Sequence, residues 1–179
     1  MVINMKSLII YTSQTGFTKR YAEWIAGELG GETMELKEAK KKRDDFFADY
    51  DAIAYGGWSM AGKTVSSEWF LQKAANWKGK KLAVFCVGAS PVVNPSVEKN
   101  LQAALNEEQR TYMKAFYCPG GINYDAMKLP SRLILKGLYS SISKKANPTE
   151  EEKGMAECLA KSFDGSDIKY AKIIADYLK

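Results

Sequence analysis

Ser7-Leu-Ile-Ile-Tyr-Thr-Ser-Gln-Thr-Gly-Phe-Thr18 is the stretch on which the reading of the whole chain turns. It opens as an apolar, β-favouring run and stops abruptly at a loop of hydroxyls and one glycine. A helical period follows at once, with Tyr21, Trp24, Ile25 and Leu29 on one face. A buried strand, a tight loop and a helix start in succession make an anion site, because the first-turn N–H groups point outward without partners. The hydroxyls of Thr12, Ser13, Thr15 and Thr18 add donors without the permanent charge of a lysine. That chemistry suits a phosphate monoester that is held and not cleaved. The alternative is an ordinary hydroxyl-rich strand–helix loop with a capped helix.

Outward from this stretch, β signals alternate with helical ones. Strands are expected at Ser7–Tyr11 and at residues 32–36, 50–56, 81–87 and 112–118. Helices are expected at residues 20–29, 64–77 and 95–105 and at Ile168–Leu178. Residues 37–45 form a charge run that reads as a solvated loop with a brief helical turn toward Phe46 and Phe47. Residues 81–87, Lys-Leu-Ala-Val-Phe-Cys-Val, are apolar almost throughout, as a strand covered on both faces requires. The alternation predicts an α/β domain with a parallel sheet between helical layers. Ligands of such sheets bind beyond the C-terminal strand ends, near a topological switch point. Loops 12–18, 57–63 and 88–95 leave those ends.

At 179 residues, with 46% hydrophobic and 26% charged residues, the chain fits one globular domain. Its opening residues lack the order of a signal peptide, and no apolar run reaches the ~20 residues that span a bilayer, so cytoplasmic residence is the expectation. Three cysteines without Cys-x-x-Cys spacing argue against a disulfide framework, and Cys86 reads as a packed small hydrophobe. The chain contains no histidine. That excludes Ser–His and Cys–His nucleophilic mechanisms and every His-ligated metal site, and no metal or catalytic side chain is expected. Chemistry carried by an organic cofactor remains open.

Residues 119–149 exceed what a bare five-strand unit needs and read as a helical insertion in a single domain, 1–179. Within them, residues 127–145 carry Lys128, Arg132, Lys136, Lys144 and Lys145 and no acid. These five cations equal the chain's formal net charge of +5. Leu129, Leu133, Ile134, Leu138 and Ile142 recur among them at helical spacing, with Pro130 in the tolerant first turn. The plainer reading is a helix whose apolar face packs on the domain while its cations meet water. The functional reading is a surface for anionic lipid, a peripheral contact at the inner face of the membrane, or for an acidic partner.

Thr12-Ser-Gln-Thr-Gly-Phe-Thr18, placed after the first strand, resembles the FMN-phosphate loop of flavodoxins, Ser/Thr-x-Thr-Gly-x-Thr. The likeness continues in Tyr50-Asp-Ala-Ile-Ala-Tyr-Gly-Gly57, in Ala61-Gly-Lys63 and in Ala83-Val-Phe-Cys-Val-Gly-Ala-Ser-Pro91. Across roughly residues 5–178 the chain looks closest to the flavodoxin-like group that includes the menaquinone-dependent protoporphyrinogen dehydrogenases. The resemblance implies a five-stranded doubly wound sheet of order 2-1-3-4-5 and noncovalent FMN. Thr12, Ser13, Gln14 and Thr15 would hold the phosphate together with Gly16, Phe17 and Thr18. Gly57, Trp58, Ser59, Met60, Ala61 and Gly62 would line one side of the isoalloxazine, with Trp58 stacked on it. Val87, Gly88, Ala89, Ser90 and Pro91 would line the other. Many flavodoxins offer an aromatic where this chain has Ser90, Pro91 and Val92, which leaves that face open to a substrate.

Gly57-Trp-Ser-Met-Ala-Gly62-Lys63-Thr64 also matches Gly-x-x-x-x-Gly-Lys-[Ser/Thr] between a strand and a helix. Against a nucleotide hydrolase, the next buried strand ends Phe-Cys-Val-Gly with no Asp for Mg²⁺, and Trp58 and Met60 are bulky for a phosphate wrap. A sequence pI near 8.9 is unlike the acidic surface of low-potential flavodoxin carriers and favours anionic substrates or surfaces. No basic–aromatic stripe points to nucleic acid. The expectation is an FMN-dependent oxidoreductase passing electrons or hydride between a small molecule, porphyrinogen-like or other, and a quinone. The alternative is a non-enzymatic electron carrier that docks on redox partner proteins.

Overall fold

The computed structural model describes residues 5–179. Strand β1 (Ser7–Tyr11) is buried at all five positions and is followed by helix α1 (Phe17–Leu29). Next come β2 (Glu32–Glu35), the short helices α2 (Leu36–Ala39) and α3 (Asp44–Ala48), and β3 (Ala52–Met60). A two-residue strand β4 (Lys63–Thr64) leads to α4 (Ser67–Ala74) and a 3-10 turn at Ala75–Trp77. Then follow β5 (Lys81–Gly88), α5 (Pro95–Ala103), α6 (Glu107–Arg110) and β6 (Met113–Pro119). The closing helix is α9 (Ile168–Leu178). Between β6 and it lie β7 (Gly121–Ile122), α7 (Leu129–Ser143), α8 (Glu150–Leu159) and β8 (Phe163–Asp164).

The main sheet runs β2-β1-β3-β5-β6 with every neighbouring pair parallel, so its five long strands take the expected order 2-1-3-4-5. Alternation of side chains across the sheet divides the core in two. Ile9, Ala54 and Phe85 face one side, where Tyr21 and Ile25 of α1 and Ile174 and Leu178 of α9 cover them. Leu8, Ile10, Ile53, Tyr55 and Leu82 face the other, beneath Phe47, Phe70 and Trp77. The chain steps from β1 out to β2 and returns across β1 to β3, which puts the switch point at the C-terminal ends of β1 and β3.

Three local expectations need correction. Helix α1 begins at Phe17, not at residue 20, so Phe17 and Thr18 belong to its first turn. The expected loop 57–63 is mostly strand: β3 runs on to Met60 and turns back into β4, pairing Ser59 with Thr64 and Met60 with Lys63. Ala61 (φ 48) and Gly62 (φ 77) form the turn, both left-handed as a two-residue hairpin connection requires. A paired hairpin cannot wrap a phosphate, which removes the nucleotide-hydrolase motif. The charge run at residues 37–45 is partly structural, because α2 buries Leu36 and Ala39 while Lys40, Lys41 and Lys42 stay exposed.

The segment between β6 and α9 holds more than the one expected helix. Helix α8 starts with a capping box, in which Thr149 Oγ1 accepts from the Glu152 amide and Glu152 accepts from the Thr149 amide. The strands β7 and β8 pair antiparallel. A small third core joins these elements, built from Ile122, Ile142 and Leu159 with Met127, Leu135 and Phe163 packed around them. Only Ile142 of α7 is fully buried. Leu129, Leu133, Ile134 and Leu138 are 64, 60, 65 and 41% exposed, so most of the helix's apolar side faces solvent and does not pack on the domain.

Candidate flavin site

The loop after β1 is anchored at both ends. The Thr12 amide donates to the Gly56 carbonyl at 2.9 Å, fixing the start of the loop to the middle of β3. Gly16 caps α1 at φ 96, a left-handed conformation that side chains resist. Its amide donates to Ser13 Oγ at 3.2 Å, and its carbonyl accepts the first helical bond from Arg20 at 3.0 Å. The helix start carries no side-chain cap and no acid in its first turn. Its leading amides therefore keep their full capacity for an anion beside them. Thr12, Ser13, Gln14 and Thr15 are half-buried, Gly16 is exposed, and Phe17 and Thr18 are buried.

Arg20 stands in the same turn but is committed elsewhere: its guanidinium donates to Asp164 at 2.5 Å and to Ser166 Oγ at 2.7 Å. Donors left at the loop are thus neutral amides and hydroxyls, as the sequence pattern implies. Gln14 turns toward the added segment, where its Oε1 accepts from the Lys128 amide at 3.3 Å, just before α7.

The second and third stretches occupy the same sheet edge. Trp58 is half-buried and, by strand alternation with Ala54 and Gly56, stands on the α1 side of the sheet, the side of the anion loop. Ser59 points to the opposite side. There a cavity of 340 Å³ opens between α5 and strands β5 and β6, and Ser59, Ala61, Gly62 and Ser90 line it with Thr64, Cys86, Asn100 and Tyr117. The structure therefore separates the expected ring-contact residues: Trp58 lies on the α1 side, whereas Ser59, Ala61, Gly62 and Ser90 surround the cavity. Met60 is exposed. Val87 and Gly88 are buried as the last residues of β5, Ala89 packs on the third core, and Pro91 is exposed. The Tyr117 hydroxyl donates to the Ser90 carbonyl at 2.8 Å and so fixes the loop from beneath.

Burial favours the neutral form of the thiol and phenol groups near these loops. Burial pushes the Cys86 thiol up, against hydrogen bonds from Thr64 and Ser59 that pull it down. Burial also raises the Tyr55 phenol to about 12, and its hydroxyl donates to the Val65 carbonyl at 2.7 Å. Cys118 is 0% exposed and its thiol is likewise raised by burial, so packing and not thiolate chemistry accounts for it. Among the described residues no cluster of His, Cys, Asp and Glu could hold a metal ion.

The Tyr124 and Tyr21 hydroxyls, α8 and the cavity under α5 were not expected. The Tyr21 hydroxyl donates to the Pro119 carbonyl and the Tyr124 hydroxyl to the Leu159 carbonyl, bonds between residues 98 and 35 apart in sequence that no local pattern announces. The capping box of α8 was legible, since Thr149-x-x-Glu152 has its spacing.

The sheet order and its alternation with helices define a doubly wound α/β protein of the 2-1-3-4-5 kind, whose ligands bind at the switch point that these loops surround. The sequence family described as the flavodoxin domain matches residues 8–149, and the chain belongs to that family. No curated protein sequence matches it. Among solved structures, a flavodoxin from the domain Archaea is 18% identical, covering 97% of this chain and 99% of its own, with a TM-score of 0.48. A flavoprotein from Lactobacillus acidophilus, solved in complex with FMN, is 19% identical over 64% of this chain and 93% of its own, with a TM-score of 0.44. Flavodoxin 2 from Bacillus cereus is 23% identical over 68% and 90%, with a TM-score of 0.41. Membership rests on the family match, since these structural likenesses are distant.

Proposed function

We propose that the chain binds FMN noncovalently and works as an FMN-dependent oxidoreductase, with a quinone as electron acceptor. The observation that carries the cofactor reading is the start of α1, left without a side-chain cap or an acid behind a glycine turn and three hydroxyl-bearing residues, with Thr18 a fourth in its first turn. Its amides, with Thr12, Ser13, Thr15 and Thr18, would hold the phosphate. Trp58, on the same side of the sheet, would cover the ring. The three stretches 12–18, 57–62 and 87–91 contain no Asp, Glu, Lys or Arg. Bound FMN would therefore supply the redox chemistry, while the chain's residues bind, orient and shield it.

Two features favour an enzyme over a bare carrier. The added segment reaches the site itself, through Lys128 on Gln14 and through Ala89 in the third core. The loop after β5 leaves Val92 43% and Val93 89% exposed in place of an aromatic cover, so a small molecule can approach from that side. The porphyrinogen-like substrate rests on the sequence resemblance to the protoporphyrinogen dehydrogenase group. A carrier docking on redox partner proteins is the competing reading.

Reconstitution decides the cofactor. FMN should bind at least a hundredfold more tightly than riboflavin, because charge-assisted hydrogen bonds to a phosphate contribute ~1.5–3 kcal/mol each. Equal affinities would reject the phosphate cradle. Anaerobically reduced protein mixed with a water-soluble naphthoquinone then separates the two functions. Rapid reoxidation with turnover supports the enzyme, and reoxidation only by a redox protein supports the carrier.

A further inference from the structure

Helix α7 is amphipathic in the reverse sense from a packed helix. Leu135 and Ile142 hold it to the third core and to α8, while Leu129 and Leu133 point away from that contact and Ile134 and Leu138 run along its margin, all four exposed. An exposed aliphatic stripe of this size on a 15-residue helix needs an occupant. The cations identify its chemistry. Lys128, Arg132, Lys136, Lys144 and Lys145 lie on or beside α7, and no acid occurs between Asp125 and Glu150. Lys128, Lys136, Lys144 and Lys145 are exposed. The flanking acids are Asp125, whose carbonyl accepts from Arg132 at 3.3 Å, and those of α8, which packs against α7. There Glu152 is engaged by Lys145 and by the Thr149 amide, and Glu150 by Lys153 at 2.6 Å.

We infer that α7 docks the protein on a bilayer surface containing anionic phospholipid, its axis in the plane of the interface. The stripe enters the boundary between headgroups and acyl chains, and the flanking lysines meet lipid phosphates. A helix this short lies on a membrane and does not span it. A second copy of the chain fits the same face poorly, because an antiparallel pair of such helices would set Lys144 and Lys145 of one against Lys128 and Arg132 of the other, with no acid between them. The start of α7 is tied to Gln14, and Val92 and Val93 stand exposed at the same C-terminal edge of the sheet. Docking would therefore bring the anion loop's edge of the domain to the lipid. The inference stands on α7 alone and survives if the loop binds no flavin.

Vesicle sedimentation of the full chain tests it. One set of vesicles is phosphatidylcholine alone, and the other is a roughly 3:1 mixture with phosphatidylglycerol. The protein should pellet with the mixed vesicles and release as salt rises. Leu133→Asp/Ile134→Asp and Lys136→Glu/Lys144→Glu, all at exposed positions, should each lower partition at least tenfold with an unchanged far-ultraviolet circular dichroism spectrum. Pelleting with neither vesicle, equal pelleting with both, or variants that bind as the parent does would each overturn it. So would a dimer in sedimentation velocity that the aspartate pair dissociates, which would assign the stripe to a second copy.

Discussion

The Lys128 amide donates to Gln14 Oε1 at 3.3 Å, joining the anion loop to the residue that precedes α7. Ordering the loop around a phosphate should therefore be felt at the start of the inserted helix. Hydrogen exchange in a peptide covering residues 127–133 should slow when FMN is added. In Gln14→Ala the same peptide should exchange faster and show no response to FMN, while the sheet stays protected. The exposed bond contributes little to global stability, so the denaturation midpoint should hardly move.

Tyr21 is fully buried, and its hydroxyl donates to the Pro119 carbonyl at 2.6 Å and accepts from the Asp167 amide at 3.0 Å. One side chain of α1 thus closes the end of β6 and the start of α9. Tyr21→Phe keeps the ring and leaves both backbone groups without that partner. A loss of about 1–3 kcal/mol is expected, measured by urea denaturation. A change below a few tenths would mean that water replaces the hydroxyl at no cost.

Most of the sheet was legible because its signals are local. The apolar run at Ser7–Tyr11 and the one ending at Gly88 needed only the composition of a two-faced strand. The hairpin at Ala61 and Gly62 was less so. Its left-handed Ala61 hides a turn that Asn-Gly would announce, and the strand before it continued past the glycines at which a loop was expected. The site was legible as three loops but not as two sides. Strand continuation past Gly57 sets Trp58 and Ser59 on opposite faces, and that depends on register. The orientation of α7 was the least accessible. Periodicity gives an apolar face, but only the tertiary contacts of Leu135 and Ile142 decide which half meets the domain.

Asp164 ties β8 to α1 through Arg20 and also accepts from the Ser166 amide at 2.9 Å. Partial burial alone would raise its pKa, but the Ser166 and Arg20 hydrogen bonds reverse this and hold it below the ordinary aspartate value. A carboxyl depressed in the folded state stabilises the fold above its unfolded pKa of ~3.9, and loses that contribution as pH falls through the folded value. Asp164→Asn should therefore be less stable than the parent at pH 7. Both partners are nearly half exposed, so the difference should be roughly 0.2–1 kcal/mol. It should shrink steadily below about pH 4. A gap that is constant across that range would assign the effect to packing instead of charge.

Trp58 is the sharpest probe of the ring's position. It lies half-buried on the α1 side, next to Val87 in register. If it covers the isoalloxazine, Trp58→Ala removes a stacking contact of ~0.5–1.5 kcal/mol together with part of the burial of an apolar ring. FMN affinity should fall roughly fivefold to thirtyfold. Flavin fluorescence, quenched by an indole in contact, should rise in whatever fraction remains bound. Ser59→Ala serves as the reference, because Ser59 faces the cavity under α5 and should leave both readouts unchanged. If the two variants exchange these behaviours, the ring lies in that cavity, and the anion loop would hold the phosphate of a cofactor that crosses the sheet edge to the other side.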